Sequence, residues 1–361
     1  MKSFSEITYR QLALPVMALA CPACPYRLKG RCEGPITIES FTSRDESVIG
    51  CYDLSRIKAY YDELQRDRTG KTIEPSHHER LRLPAFIPMI KDGLSLSAAP
   101  LKEALYGVSL GTLLKDCGDL RFDSPEKLRR FLGLNSRARL SLICTAADWR
   151  IERFWKVSES RQVWRRIASL NFEFVTSATF SVWSKQPRSD QIYNQDRNFV
   201  TYDYLSALGI PSVPFTFFYT GSELDYQNVI NWLKDRPDLR KVAILAQLRR
   251  SKIKFDKVLE YMRSMGSDVG RPLDFVVVGV ATAEKIDRIF REFKTATIVT
   301  HQPFMKAMRS GEQTLEDLTH VKNGTKSRGV LAVRNIKRFY EYCTSRAKGS
   351  NLPDISTQSS Q

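Results

Sequence analysis

The residues with the clearest capacity for chemistry lie near the start of the chain. Cys21-Pro-Ala-Cys24-Pro-Tyr-Arg-Leu-Lys-Gly-Arg-Cys32 is followed by Cys51, a C-x2-C-x7-C-x18-C spacing. Two thiolates separated by two residues can bind one inorganic centre from a single turn. Gly30, Gly34, Pro22, Pro25 and Pro35 favour tight turns over helix in this stretch. Arg27, Lys29 and Arg31 place positive charge nearby, which favours thiolates. The expectation is that Cys21, Cys24, Cys32 and Cys51 ligate one metal centre. Zinc ribbons repeat the C-x2-C pair and this chain does not, so a [4Fe–4S] cluster is expected ahead of zinc. Unligated thiols in a turn-rich segment are the plainer alternative. The chain has seven cysteines, an odd number, and the grouping of four suits a ligand set in a reducing cytoplasm better than a disulfide framework. Cys117, Cys144 and Cys343 sit in apolar surroundings and are expected to pack.

Further candidates are polar groups at the ends of β-rich runs. Asp148 and Trp149 follow one run, and a carboxylate beside an aromatic suits binding a base edge and stacking on its face; capping of the following helix is the plainer role for Asp148. Asn194, Asp196 and Arg197, with Gln191 and Tyr193, form a dense polar set that could line a pocket or bond its own loop. His301 ends another run and is one of only four histidines, the side chain best suited to acid–base work near neutral pH. The expected catalytic set is therefore Asp148, Asn194, Asp196, Arg197 and His301. His77-His78-Glu79 lacks the spacing of a helical metal motif, and the chain has no Walker loop, dinucleotide fingerprint or nucleophile elbow.

Residues 149–166 mix six cations, two acids, three Trp and one Phe. Cations neutralise phosphates and aromatic faces stack on unpaired bases. Trp149, Arg150, Arg153, Arg165 and Arg166 are expected to contact nucleic acid, together with Arg249, Arg250 and Lys252 after a later run. A barrel helix burying Ile151, Phe154, Trp155 and Trp164, with its arginines in water, is the competing reading. The whole chain carries 56 Lys and Arg against 40 Asp and Glu, a formal charge of +16. That excess points to a polyanionic partner, nucleic acid before an anionic membrane.

Positioning these groups requires a regular scaffold. With 361 residues and 42% apolar content, wholesale disorder and fibrous classes are excluded. From about residue 83, β-rich runs alternate with helical stretches: 85–90, 139–145, 172–177, 212–218, 241–247, 274–280, 295–300 and 329–333. Phe275-Val-Val-Val-Gly-Val280 is apolar throughout, as a parallel strand covered on both faces requires. Helices are expected over 225–234, 254–265, 283–293, 314–321 and 336–346. Eight units predict a (β/α)8 TIM-like barrel, with an open doubly wound α/β sheet as the alternative. The first run is the weakest, because Pro84 and Pro88 flank or interrupt it. The organisation expected is a cysteine-rich module over 1–52, a charged helical linker over 53–82 with its helix at 54–65, a barrel over 83–346, and a polar, disordered tail over 347–361. No run of 18 apolar residues exists, so no membrane is expected. The run Leu12–Ala20 before Cys21 has the outline of a lipoprotein signal, but Glu6, Pro15 and the second cysteine argue against it. A cytoplasmic location is expected.

Phe180-Ser-Val-Trp183, Pro187, Gln191-Ile-Tyr-Asn194 and Arg197-Asn198 resemble the signature of a phage- and plasmid-associated family, domain of unknown function 4417. Gly209-Ile-Pro-Ser-Val-Pro214 and Val242-Ala-Ile-Leu245 fall where that family has its next strands, so the likeness covers about residues 170–300. It implies a mobile-element setting and no defined activity. The family has an acid just before the Phe-Ser pair, where this chain has Thr179. A fainter similarity links Thr176-Ser-Ala-Thr-Phe-Ser181 to barrels of the tRNA-guanine transglycosylase type, with Thr176 in place of an acid. Three functions follow as expectations: a base- or nucleotide-modifying enzyme on nucleic acid, a non-catalytic DNA- or RNA-binding replication or regulatory protein, and an iron–sulfur redox enzyme on a small molecule.

Overall fold

The structure, a computed structural model, describes residues 23–32, 36–39, 46–49, 54–68, 81–91, 104–182, 187–216, 223–246, 252–323 and 327–349. The N-terminal part contains a short helix α1 (Pro25–Leu28), an antiparallel pair β1 (Ile36–Glu39) and β2 (Glu46–Ile49), and helix α2 (Leu54–Arg68). Then come β3 (Phe86–Ile90), β4 (Leu105–Ser109), α3 (Leu110–Leu113), α4 (Pro125–Phe131), β5 (Arg139–Ile143), α5 (Asp148–Ser158), α6 (Val163–Ala168) and β6 (Val175–Thr176). The second half holds α7 (Arg188–Ala207), β7 (Ser212–Val213), β8 (Phe215–Thr216), α8 (Glu223–Lys234), β9 (Lys241–Leu245), α9 (Lys252–Val269), β10 (Asp274–Val278), α10 (Ala283–Glu292) and β11 (Thr297–Thr300). After β11 come α11 (Gln302–Met305), a π-helical turn (Lys306–Ser310), the hairpin β12 (Glu312–Thr314) and β13 (His320–Lys322), and α12 (Arg328–Ala347).

The nine strands β3 to β11 form one parallel sheet that nearly closes on itself, the architecture of a TIM-like barrel. The ladder's two edge strands, β7 and β8, are consecutive pieces of one segment, joined by Pro214. Ser177 N–H donates to the Val213 carbonyl at 2.9 Å, and Ala243 N–H donates to the Pro214 carbonyl at 2.8 Å. The ladder thus changes neighbour at the one residue with no N–H to offer. An open doubly wound sheet would leave two unlinked edges, so the barrel reading is the one that fits.

Side chains alternate as a closed parallel sheet demands. Ile87, Met89, Leu105, Ile143, Phe174, Val213, Phe215, Ala243, Val276, Val278 and Val299 share the inner core. Their strand neighbours Phe86, Ile90, Tyr106, Val108, Leu140, Leu142, Val242, Ile244, Phe275, Val277 and Ile298 face the helical layer. Pro88 is accommodated within β3, in register with Thr300 of β11.

Two predicted elements are corrected. Residues 329–333, read as a strand, open α12: the Ser327 hydroxyl caps the Val330 N–H at 3.4 Å, and Leu331 and Ala332 bury with Ile336 and Phe339 on one helical stripe. The eighth β-unit is instead supplied by Leu105–Ser109, whose pattern is broken by Gly107. A Cβ at Gly107 would stand 3.0 Å from Met89 Cγ, so the barrel interior selects glycine there. Residues 314–321, read as a helix, are the β12–β13 hairpin: Asp317 accepts from Thr319 N–H at 3.0 Å and Leu318 takes φ 63°. Within the stretch expected as a linker, helix α2 packs on α7 through Ile57, Leu64 and Tyr60, the last stacked on Tyr193 at 4.0 Å and 6°. Residues 350–361 of the expected tail lie outside the described residues.

The turn before α4 has a strict requirement. Gly118 takes φ +84°, and a Cβ would lie 2.6 Å from the Arg153 backbone carbonyl on α5. Gly118→Ala is expected to lower stability by about 3 kcal/mol through left-handed strain and backbone collision. Denaturant unfolding checks this, with Gly209→Ala as comparison, where φ is +70° and no atom lies within 4 Å of the added carbon.

Candidate functional site

Helix α7 violates the usual sorting of polar residues. Its 20 residues read RSDQIYNQDRNFVTYDYLSA, yet Arg188, Gln191, Asn194, Gln195, Asp196, Arg197, Asn198 and Thr201 are all buried. A polar helix with no wet face must have its groups paired by neighbours, and local rules are broken in this way most often at functional sites. Three sets of partners, one per side, do much of the pairing, although among the described residues neither amide atom of buried Gln195 has a hydrogen-bond partner.

The first side meets the loop leaving β6. Asn194 Nδ2 donates to the Ser181 carbonyl at 2.6 Å, Phe180 N–H donates to Asn198 Oδ1 at 3.0 Å, and Ala178 N–H donates to Thr201 Oγ1 at 3.1 Å. Arg197 lies over the Phe180 ring at 3.7 Å, donates to Asn194 Oδ1, and grips Glu152 of α5 at 2.9 and 2.7 Å. Ser181 Oγ donates to Asp148 Oδ1 at 2.6 Å. Asp148, Asn194 and Arg197 therefore converge on one turn at the face where strands end and active groups of such barrels gather. Asp148 is exposed and Ser181 half-buried, whereas Asn194 and Arg197 are enclosed and hold the loop.

The second side meets the N-terminal module. Asp196 points away from Ser181 and pairs with Arg31. Cys24, Tyr26, Cys32, Ile57 and Ile192 form one buried cluster. Burial pushes the Tyr26 phenol well above its ordinary range, reinforced by the Asp196 charge. Glu63 of α2 accepts from Tyr193 Oη at 2.8 Å and from Trp155 Nε1 at 2.6 Å, tying the module to both α7 and α5.

The third side meets α8. Arg188 and Asp225, 1% and 2% exposed, form a bidentate pair with both distances 2.6 Å. Burial alone would lower the Arg188 basicity, but Asp225 and a hydrogen bond to Cys32 reverse the balance and keep it charged. Phe199 stacks on Trp232 at 4.4 Å below this pair.

Cys24 and Cys32 are thus neighbours in one buried cluster, with Arg188 and Arg31 supplying positive charge. That setting fits thiolate ligands. Cys21 and Cys51 lie outside the described residues, and among the described residues no group of three or more His, Cys, Asp or Glu is placed to hold a metal. Cys144 and Cys343 are packing residues, with burial pushing both thiols far up, but Cys117 is exposed. It lies 3.8 Å from Arg161, and its thiol sits below the ordinary value through a backbone hydrogen bond from Asp119 and that cation.

The basic–aromatic stretch divides. Trp164 is buried edge-on to Phe154 at 4.7 Å, and Trp155 is half-buried, so neither offers a free face. Trp149 is 47% exposed at the rim, with Arg150 and Arg153 at 5.0 and 5.1 Å from its ring. Arg150 also donates to the Gly111 carbonyl and Asp116, Arg153 to the Asp116 carbonyl, and Arg166 pairs with Asp119. Arg165 is exposed. Arg249, Arg250 and the Lys252 side chain lie outside the described residues. His301 follows β11 and reaches the same barrel face three strands away from Asp148, so it does not join the Ser181 cluster.

Sequence reasoning missed Ser181, Glu152, Glu63, Arg188 and Asp225 as site residues, and it placed Arg31 beside the cysteines without its partner Asp196. Nothing local marks Arg188 and Asp225 as partners, since 37 residues separate them. The two positions where the family likenesses expect acids are buried hydroxyls: Thr176 accepts from Cys144 N–H at 2.8 Å and Thr179 donates to the Cys144 carbonyl at 3.0 Å. No protein-family model matches the chain, and no curated protein matches it.

The Arg188–Asp225 pair sets a sharp expectation. Asp225→Ala should cost about 3–5 kcal/mol, because it strands a buried guanidinium. Replacing both, as Arg188→Met with Asp225→Leu, should recover most of that loss. Urea unfolding of the three variants measures it, and purely additive losses would contradict the pairing.

Proposed function

We propose that the chain acts on nucleic acid, binding an unpaired stretch across the rim of the barrel and modifying a base or nucleotide there. The observation that carries this reading is Trp149, a large exposed aromatic bracketed by two guanidinia, one residue from the Asp148–Ser181 pair. An exposed indole costs free energy in water and gains it by stacking on a base, while the arginines meet phosphate. In this reading Asp148 is the proton acceptor or donor, with Ser181 orienting it. Asn194 and Arg197 position the Ser181 loop, and Asp196 anchors the N-terminal module through Arg31. Cys21, Cys24, Cys32 and Cys51 would hold the metal centre, a [4Fe–4S] cluster ahead of zinc. Either would supply rigidity to the module, and an iron–sulfur cluster would add one-electron chemistry. The resemblance over residues 170–300 agrees with a mobile-element protein. Binding without turnover is the second reading, favoured by the enclosure of Asn194, Asp196 and Arg197 in internal pairs.

The test is titration of single-stranded DNA and RNA oligonucleotides against the full chain at several salt concentrations. Affinity is expected to fall with salt. Trp149→Ala should weaken binding about tenfold, the loss of roughly one stacked base, and Arg153→Gln should reduce the salt slope by about 1. Absence of binding to either polymer, or a Trp149→Ala variant that binds unchanged, contradicts the proposal. A modified oligonucleotide formed by the wild type and not by Asp148→Asn separates the enzyme from the binder.

A further inference from the structure

Across the barrel mouth from Trp149 lies a second set of polar groups. β11 and β3 are parallel neighbours, with Thr300 in register with Pro88. Their ends therefore release His301 and Lys91 side by side on the same face. The segment that follows β11 makes the single-turn helix α11, the π-helical turn 306–310 and the β12–β13 hairpin before the long helix α12 begins. This insertion is firmly built: Asn335, fully buried, accepts from Thr314 N–H at 2.7 Å and donates to the Glu312 and Pro303 carbonyls at 2.8 and 3.2 Å. Arg328 fastens the turn by donating to the Met308 carbonyl at 2.7 Å. The turn carries Arg309, and π-helical turns occur often at functional sites.

Lys91, His301 and Arg309 are all exposed, and among the described residues none has a carboxylate partner. The acid in the insertion that might serve, Glu312, is already taken by Lys306 at 2.7 Å. The other nearby imidazole, His320, is held by Gln302 and Thr314 at 3.1 and 3.2 Å. Partial desolvation, then the charges of Lys91 and Arg309, hold His301 below its ordinary value, so the three groups act on one another. Among the described residues these cations have no anion between them; like charges repel, and such a set suits an anionic ligand.

We propose that Lys91, His301 and Arg309 form a site for a phosphoryl group, contributed by a nucleotide or by the backbone of a nucleic acid. Arginine offers a fork to two phosphate oxygens, lysine a point charge, and imidazole one further donor. The proposal extends the nucleic-acid reading by giving it a second contact across the mouth, but its primary probe is inorganic phosphate, which does not depend on that reading.

The experiment follows the imidazole signals of the full-length protein, labelled at histidine, during pH titration. Only four histidines are present, so His301→Gln assigns the signal. With phosphate bound, the His301 pKa is expected to rise, while His320 stays put. In the free protein, Arg309→Gln should raise the His301 pKa by removing a repulsion. Arg309→Gln and Lys91→Gln should each weaken phosphate binding about tenfold. Oligonucleotides with and without a 5′-phosphate, and a mononucleotide, distinguish the sources: response only to phosphorylated ends or mononucleotide assigns a terminal phosphate, and response to all oligonucleotides assigns the backbone. A His301 signal unmoved by phosphate, or a response confined to His320, overturns the site. Phosphate binding at His301 together with no oligonucleotide binding would uphold the site and remove the nucleic-acid reading.

Discussion

The architecture depends on satisfying one buried, highly polar helix. α7 lies between the β6 loop with α5, the N-terminal part and α8, and α5, the N-terminal part and α8 each supply a charged partner for a different guanidinium or carboxylate. Arg188–Asp225 is almost wholly enclosed, and taking two such charges out of water costs several kcal/mol per ion. Bidentate geometry offsets that cost, so the pair adds little net stability, while separating α7 from α8 would strand both charges. The exposed pair Lys127–Asp123 is the contrast: at 2.8 Å on the surface it is screened by water and dictates nothing. Polarity on α7 thus specifies position where the apolar core specifies only compactness.

This constraint connects the parts of the candidate site. Arg197 clamps Glu152 of α5 and the Phe180 ring, which fixes where Ser181 meets Asp148. One residue earlier, on a different side of the helix, Asp196 holds Arg31, and Cys32 touches the same Arg188 that fixes α8.

Much of the barrel was readable because its physics is local. Phe275-Val-Val-Val278 and Lys241–Leu245 are short β-branched or aliphatic runs bounded by turns, and both are strands. Leu105–Ser109 was not readable, because Gly107 answers to Met89 on the next strand rather than to its own neighbours. Residues 329–333 misled because valine-rich composition was given more weight than the capping Ser327 and the apolar stripe that continues to Phe339. At the site, Asp148, Asn194 and Arg197 were found as residue types suited to polar chemistry, and the structure brings them to one turn. Asp196 sits beside them in sequence but faces the other way, since each helical step rotates about 100°. Partners such as Glu63, Asp225 and Arg31 come from distant segments, and no local pattern announces a contact across 130, 37 or 165 residues.

Native-state hydrogen exchange of the intact chain tests the governing claim most directly. If α7 is locked on three sides by its charged partners, amides along 191–205 will exchange only through global unfolding, as slowly as those of β9 and β10. Exchange of that segment by local opening, orders of magnitude faster than the barrel strands, would show that the helix is not clamped and would contradict the account.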